Sequence, residues 1–219
     1  MKIKPYYKEE AVTIYHGDCR QIVPLLGRFD LLLTDPPYGI KAGDQRRQAS
    51  RTKLAKATDY GVNEWDNKTD NKGIQLARGK CGKQIIFGGN YYDLPPSRCW
   101  LVWDKMNGAS HFADCELAWT NLEKSIRIKR HQWNGMIRKG SERRYHITQK
   151  PLDVIQWCIE KSGDVQTILD PFAGSGTTGL AAKNLGKQAV LIEQEEKNCE
   201  IAARRLSQEI LAFSKEPKE

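Results

Sequence analysis

Two short stretches carry residue types that can do chemistry together. The first is Asp35-Pro36-Pro37-Tyr38, placed directly after the apolar run Phe29-Asp30-Leu31-Leu32-Leu33-Thr34 and before Gly39. Leu31 to Leu33, bounded by Pro and Gly, reads as a short buried strand, and two prolines prevent a helix from starting at its end. Asp35 is thereby held at a strand's carboxyl end, where open α/β sheets place their ligands. Taken alone, the four residues also fit an ordinary solvated turn, with Tyr38 merely capping the core.

The second stretch is Asp170-Pro171-Phe172-Ala173-Gly174-Ser175-Gly176-Thr177-Thr178-Gly179, between a strand at Thr167-Ile168-Leu169 and a helix running through Leu185 to Gly186. Gly174, Gly176 and Gly179 satisfy GxGxxG, and Glu193 closes the next strand about 20 residues on, as a dinucleotide fingerprint requires. A nicotinamide enzyme is therefore one reading. Against it, Asp170, Pro171 and Phe172 put a carboxylate and an aromatic ring before the glycines. A pyrophosphate is repelled by Asp170, whereas a cationic ligand is attracted. Only one strand and one helix follow the loop, too little for a complete dinucleotide half-sheet. Strands from earlier in the chain must complete the sheet, which can set the Leu31–Leu33 strand beside the Thr167–Leu169 strand and open both loops at one crevice.

The elements that must position these stretches follow from pattern. Val12 and Ile14 alternate into a strand ending at Asp18, and a helix follows from Arg20 to Leu26, giving a right-handed β-α-β unit with the strand that ends at Thr34. Residues 41–80 are polar, basic and without apolar period, which predicts a long mobile loop. Further strands are read at Gln84–Phe87 and Cys99–Trp103, with Glu116–Trp119 and Ser125–Ile128 as a hairpin closing one sheet edge. A helix begins at Lys150 or Pro151, a strand covers Ala189–Ile192, and a last helix runs from Glu195 to about Leu211.

The 219 residues suffice for one α/β domain and are short for two. Lys plus Arg number 35 against 27 Asp plus Glu, a formal net charge of +8 that favours polyanionic partners. The excess is concentrated. Lys41, Arg46, Arg47, Arg51, Lys53 and Lys56 face only Asp44, and a second run from Lys124 to Arg144 is opposed only by Glu142. Cys19, Cys81, Cys99, Cys115, Cys158 and Cys199 form no CxxC pair and have no histidine at ligand spacing, so reduced thiols and no metal site are expected. No stretch approaches the roughly 18 apolar residues of a membrane span, and Met1-Lys2-Ile3-Lys4 lacks a signal core. A soluble, cytoplasmic protein is expected.

With both motifs in strand-turn context, the chain resembles the S-adenosylmethionine-dependent DNA amino-methyltransferases, which act on adenine N(6) or cytosine N(4). DPPY first and DPFAGSGT last is the order of the circularly permuted beta class. HGDC before DPPY, FGGNYYDLPP, CWLVWDK, HITQKP and Glu193 extend the similarity over most of the chain. The resemblance implies a Rossmann-like, doubly wound, mostly parallel sheet with an antiparallel edge hairpin. It also implies one methyltransferase domain over residues 1–219, with a mobile basic insertion at 41–80 and a DNA-recognition segment at 124–147.

The roles implied are these. Asp35 accepts one proton of the target amino group and the Pro36 carbonyl another, localising the lone pair toward the sulfonium methyl; Pro37 completes the turn and Tyr38 stacks on the base. Phe172 to Thr178 wrap the cofactor's methionine and ribose, Glu193 accepts from the ribose hydroxyls, and Asp18 and Cys19 flank its adenine. Thr148, Gln149 and Lys150 receive the methionine carboxylate, where a lysine and a helix amino terminus also favour an anion. Ile147 departs from the proline common in the family. Asp170 either touches the cofactor or orients the glycine loop, and Asp18 is alternatively a helix cap. Lys41, Arg46, Arg47, Arg51, Arg130, Arg138, Lys139, Arg143 and Arg144 are the candidate contacts to DNA, expected to be double-stranded with the target base flipped out. A homodimer is implied by the resemblance alone. Asp at the head of the motif leans toward adenine, with cytosine the alternative; a catalytically silent cofactor-binding protein is a third reading.

Overall fold

Leu31, Leu32 and Leu33 are completely buried, as a strand covered on both faces requires. In the computed structural model, which describes residues 3–40, 70–108, 113–133 and 149–208, nine strands form one sheet. In chain order they are β1 (Tyr7–Lys8), β2 (Val12–His16), β3 (Phe29–Thr34), β4 (Cys81–Phe87), β5 (Trp100–Asp104), β6 (Cys115–Thr120), β7 (Arg127–Arg130), β8 (Thr167–Asp170) and β9 (Gln188–Glu193). Across the sheet the order is β1-β2-β9-β8-β3-β4-β6-β5-β7, so the last two strands of the chain are inserted between β2 and β3. β2, β9, β8, β3 and β4 run mutually parallel. Leu31 pairs with Ile168 and Leu32 with Leu169, the adjacency expected of the two motif strands.

Helices cover both faces. Ile22 of α1 (Cys19–Ile22), Val23 in the 3-10 turn that continues it (Val23–Leu25), and Ile74 and Ala77 of α2 (Asn71–Arg78) pack with Leu32, Ile86, Leu169 and Ile192. On the other face, α3 (Leu152–Lys161), α4 (Thr177–Asn184) and α5 (Glu196–Ser207) pack on Ile14, Leu31, Leu33, Ile85 and Ile168 through Ile155, Ala181 and Ala202. Alternate residues of one strand thus feed two cores. Among the described residues no helix is long and apolar enough to cross a membrane.

Besides the unread edge strand β1, antiparallel to β2, and the 3-10 turn that replaces the second half of the helix expected from Arg20 to Leu26, the structure differs from the sequence reading at two places. Residues 71–78 are helical, not loop: Asp70 accepts the Gly73 N–H at 2.9 Å as a cap, and Ile74 and Ala77 supply one buried stripe. A stripe of two residues is too short to register as a period. Residues 41–69 of the mobile insertion expected at 41–80 lie outside the described residues. β6 and β7 do not pair as a hairpin. β6 lies antiparallel between β4 and β5, and β7 adds to β5 in parallel as the edge strand. The antiparallel element is real, but its two strands are β5 and β6.

Candidate active site

Five parallel strands bring their carboxyl ends to one edge, and between β3 and β8 they leave a solvent-open cleft. Thr34, Asp35, Phe87, Gln149 and Lys150 line it, with Phe172, Ala173, Gly174, Ser175, Thr177 and Thr178 from the glycine loop. This is the crevice position expected of ligands in open α/β sheets.

The loop is held from three sides. Asp170, 3% exposed, accepts from the Thr34 hydroxyl at 2.7 Å and the Phe172 N–H at 3.1 Å on Oδ1, and from the Thr178 hydroxyl at 2.6 Å on Oδ2. Burial pushes its carboxyl up to about 6 despite these donors. Asp170 therefore orients the loop, and Thr34 ties it to the strand that carries Asp35. Glu193 accepts the Gly174 N–H at 2.8 Å on Oε2 and the Glu195 N–H at 2.8 Å on Oε1. The buried Arg205 of α5 donates from Nη1 to the Ser175 carbonyl at 2.6 Å, the Ser175 hydroxyl at 3.0 Å and the Thr177 hydroxyl at 3.2 Å. The glycines divide the work. A Cβ on Gly176 would lie 2.8 Å from Ala202 Cβ, and one on Gly179 2.7 Å from Leu191 Cδ1, so these two permit close packing; a Cβ on Gly174 would meet nothing within 4 Å.

Asp35 is the centre of a charged network. Its Oδ1 accepts from the Tyr38 hydroxyl at 2.5 Å, and its Oδ2 contacts Lys150 Nζ. Lys150 Nζ also lies 3.0 Å from Glu116 Oε2, and Lys105 Nζ lies 2.6 Å from Glu116 Oε1. β6 runs antiparallel to β4 and β5, so its amino end, with Glu116, and the residue after β5, Lys105, reach the same edge as the carboxyl ends of the parallel strands. Burial raises the Asp35 carboxyl above its ordinary range, although Lys150 opposes the effect. For Glu116 burial works in the same sense, but Lys150 and Lys105 outweigh it and hold the carboxyl low. The Tyr38 ring stacks on Tyr91, with centroids 5.0 Å apart, and packs on Gly88, where a Cβ would sit 2.1 Å from Tyr38 Cε1. The Tyr92 hydroxyl donates to the Pro37 carbonyl and fixes the turn from behind.

The structure thus brings Asp35 together with Asp170 and the Phe172–Thr178 part of the loop, while Pro36, Pro37 and Tyr38 lead away from them toward Gly88, Tyr91 and Tyr92. It does not bring every expected residue into the cleft. Asp18 caps α1 by accepting the Arg20 N–H at 2.8 Å and pairs with the Arg20 guanidinium at 2.6 Å, while Cys19 is 5% exposed and its thiol is pushed up to about 12 by burial. Neither lines the cleft. Gln149 and Lys150 both line the cleft, but the Lys150 ammonium is already engaged by the buried acids Asp35 and Glu116. Glu193 is occupied with the loop backbone. Arg130 is on edge strand β7, largely exposed and 3.4 Å from Asp104. Thr148, Lys41, Arg46, Arg47, Arg51, Arg138, Lys139, Arg143 and Arg144 lie outside the described residues. Sequence reasoning missed Thr34, Lys105, Glu116, Tyr91 and Arg205. Of these, Tyr91 and Lys105 lay within the quoted FGGNYYDLPP and CWLVWDK segments without being given a role, and Arg205 left a signal as a charge on the apolar stripe of α5 beside Ala202 and Leu206.

The sequence and the fold have counterparts among known proteins. The chain is 26% identical, over a 249-residue alignment, to the Type II methyltransferase M2.LlaDCHI of Lactococcus lactis subsp. cremoris, covering 93% of this chain and 92% of that protein. It is also 26% identical to the Type II methyltransferase M2.DpnII of Streptococcus pneumoniae, covering 94% and 93%. The fold matches the crystal structure of an M1.HpyAVI–SAM complex with TM-score 0.57 and 23% identity, over 89% of this chain and 100% of that one. It matches the cytosine-N4-specific PvuII DNA methyltransferase with TM-score 0.55 and 13% identity, over 94% and 96%. The DNA methylase family model, N6_N4_Mtase, matches residues 93–204, from the segment after Tyr92 through the glycine loop into α5 and just over half of the 219 residues. The cleft, the loop and their relatives agree, and the chain belongs to the DNA methylase family.

Proposed function

We propose that the protein transfers a methyl group from S-adenosylmethionine to the N(6) amino group of adenine in double-stranded DNA, acting on a base flipped out of the helix. The observation that carries this reading is the placement of Asp35. Its carboxylate stands at the carboxyl end of β3, joined through Thr34 and Asp170 to the glycine loop one strand away. The residues fit the cofactor: Gly174 leaves its Cβ position open, Phe172 offers an aromatic wall, and the carboxylates of Asp35 and Asp170 favour a cation. S-adenosylmethionine, when bound, supplies an electrophilic methyl on a sulfonium.

The chain's own residues do the rest. An exocyclic amino nitrogen is a poor nucleophile because its lone pair is delocalised into the base. Asp35 and the Pro36 carbonyl each accept one of its protons and localise that pair toward the methyl, with positioning and electrostatics supplying the acceleration. Tyr38 presents the stacking face, held by Gly88, Tyr91 and the Tyr92 bond to Pro37. Asp, rather than Ser, at the head of the motif supports adenine.

The basic runs at 41–56 and 124–144 are read as phosphate contacts, the second with the sequence-reading element, within one methyltransferase unit of a cytoplasmic protein that pairs as a homodimer. If about five phosphates are neutralised, log affinity falls against log salt with a slope of about −4.5; a salt-insensitive affinity rejects those contacts. Incubating duplex DNA with labelled cofactor and identifying the modified nucleoside tests the reaction. N(6)-methyladenine is expected, methyl solely on cytosine overturns the choice of base, and no DNA methylation overturns the function.

A further inference from the structure

Behind Asp35 stand two residues to which the polarising mechanism gives no task. Glu116 lies 3.0 Å from Lys150 Nζ and 2.6 Å from Lys105 Nζ, and Lys150 in turn contacts Asp35. All four side chains are withdrawn from solvent: Lys150 is 7% exposed, Lys105 17%, and Asp35 and Glu116 22% each. We propose that Glu116 is a positioning residue for amino-methyl transfer, holding Lys150 against Asp35 and taking up part of the lysine's charge so that Asp35 keeps its affinity for the amino protons. The inference rests on the role given to Asp35 above.

The argument is one of charge. As methyl transfer proceeds the N–C bond forms, the C–S bond breaks with its electron pair staying on sulfur, and the nitrogen becomes positive before releasing a proton to Asp35 and thence to solvent. Asp35 and Lys150 alone make a neutral pair, a poor counter-charge for that nitrogen. Glu116 shares Lys150 with Asp35 and so leaves Asp35 less fully neutralised than in a simple pair, and Lys105, which pairs with Glu116 rather than with Asp35 and makes the four charges neutral overall, keeps Glu116 ionised in a site where an unpaired buried carboxylate is costly. Lys150 is needed because the surroundings are otherwise acidic and dry. Asp35 faces Tyr38 from its own turn, Lys150 from the segment before α3, Glu116 from β6 and Asp170 from β8, while Tyr92, from the turn after β4, faces Tyr38. Lys150 also lies 5.2 Å from the Phe87 ring centroid and 5.7 Å from that of Tyr38, which confine it to this position.

The test titrates the Asp35 carboxyl by carbon-13 NMR in the full chain, comparing wild type with Glu116→Gln and Lys105→Met, and measures kcat, KM and cofactor Kd on duplex DNA. Glu116→Gln removes a like charge, so the Asp35 midpoint should fall by on the order of one pH unit. In the same variant kcat should drop about tenfold or more, with cofactor Kd within about threefold of wild type. Lys105→Met takes from Glu116 the partner that keeps it ionised and should move the midpoint in the same direction, and it decides the matter if Glu116→Gln does not fold. An unmoved midpoint, or a loss of stability and cofactor binding without a titration shift, overturns the proposal. If wild type methylates DNA and Glu116→Gln retains full kcat, the positioning role fails and the function stands. If wild type methylates no DNA, the function fails, while the titration still decides whether Glu116 sets the charge of Asp35.

Discussion

Replacing Asp170 with Asn should stabilise the fold at neutral pH while weakening its cleft, and the size of the effect follows from burial. The Asp170 carboxyl is raised from 3.8 to about 6 because it is 3% exposed, and its three donors do not fully compensate. A carboxyl raised on folding binds its proton more tightly in the native than in the unfolded chain. Its contribution to stability is complete below the ordinary value and is lost as pH rises through about 6. The difference corresponds to about 3 kcal/mol, at 1.36 kcal/mol per pH unit. Asn cannot ionise, so the unfolding free energy of wild type minus that of Asp170→Asn should rise by about 2 kcal/mol between pH 8 and pH 4 and approach about 3 kcal/mol only below the ordinary value. Denaturant titrations at a series of pH values measure it. A flat difference would refute the reasoning, and one falling toward acid pH would mean that the Thr34, Thr178 and Phe172 donors outweigh burial. Cofactor binding should move the other way. The Asn amide offers Thr34 or Thr178 a donor where the carboxylate offered an acceptor, so the loop loses a charged hydrogen bond and the cofactor Kd rises about tenfold.

Two further substitutions probe the supports. Gly88→Ala places a methyl 2.1 Å from the Tyr38 ring at a residue with φ +63°, so it should displace Tyr38, cost about 1–3 kcal/mol in denaturant and raise the KM for DNA more than the cofactor Kd. Equal changes in both constants would count against a stacking role for Tyr38. Arg205→Met leaves the Ser175 carbonyl and two hydroxyls without their buried donor, and should cost about 3 kcal/mol and weaken cofactor binding, although Arg205 does not line the cleft. Unchanged affinity would show that the glycine loop keeps its shape without Arg205.

What the sequence revealed and what it hid have physical reasons. Leu31 to Leu33 followed by two prolines define a strand and its end locally, and the 170–179 loop does the same, so the elements and their meeting at β3 and β8 were legible. The partners of individual side chains were not, because they depend on which strands become neighbours. Lys150 read as an anion-binding lysine at a helix start; only the antiparallel insertion of β6 beside β4 brings Glu116 to meet it. Thr34 looked like the last residue of a strand until β8 placed Asp170 beside it. Asp18 and Glu193 were recognised at strand ends, yet the backbone and side-chain donors they satisfy are set by the turns that follow. The pairing of β7 with β5, and the short helix at 71–78, each rested on too few residues for alternation or helical period to register.

The most direct test of the account is a paired measurement on Asp35→Ala, with methyl transfer to duplex DNA and equilibrium cofactor binding followed on the same preparation. Transfer should be abolished while the cofactor Kd stays within about threefold of wild type, because Asp35 acts on the amino group and the glycine loop holds the donor. Retention of full transfer activity by Asp35→Ala would contradict the account at its centre.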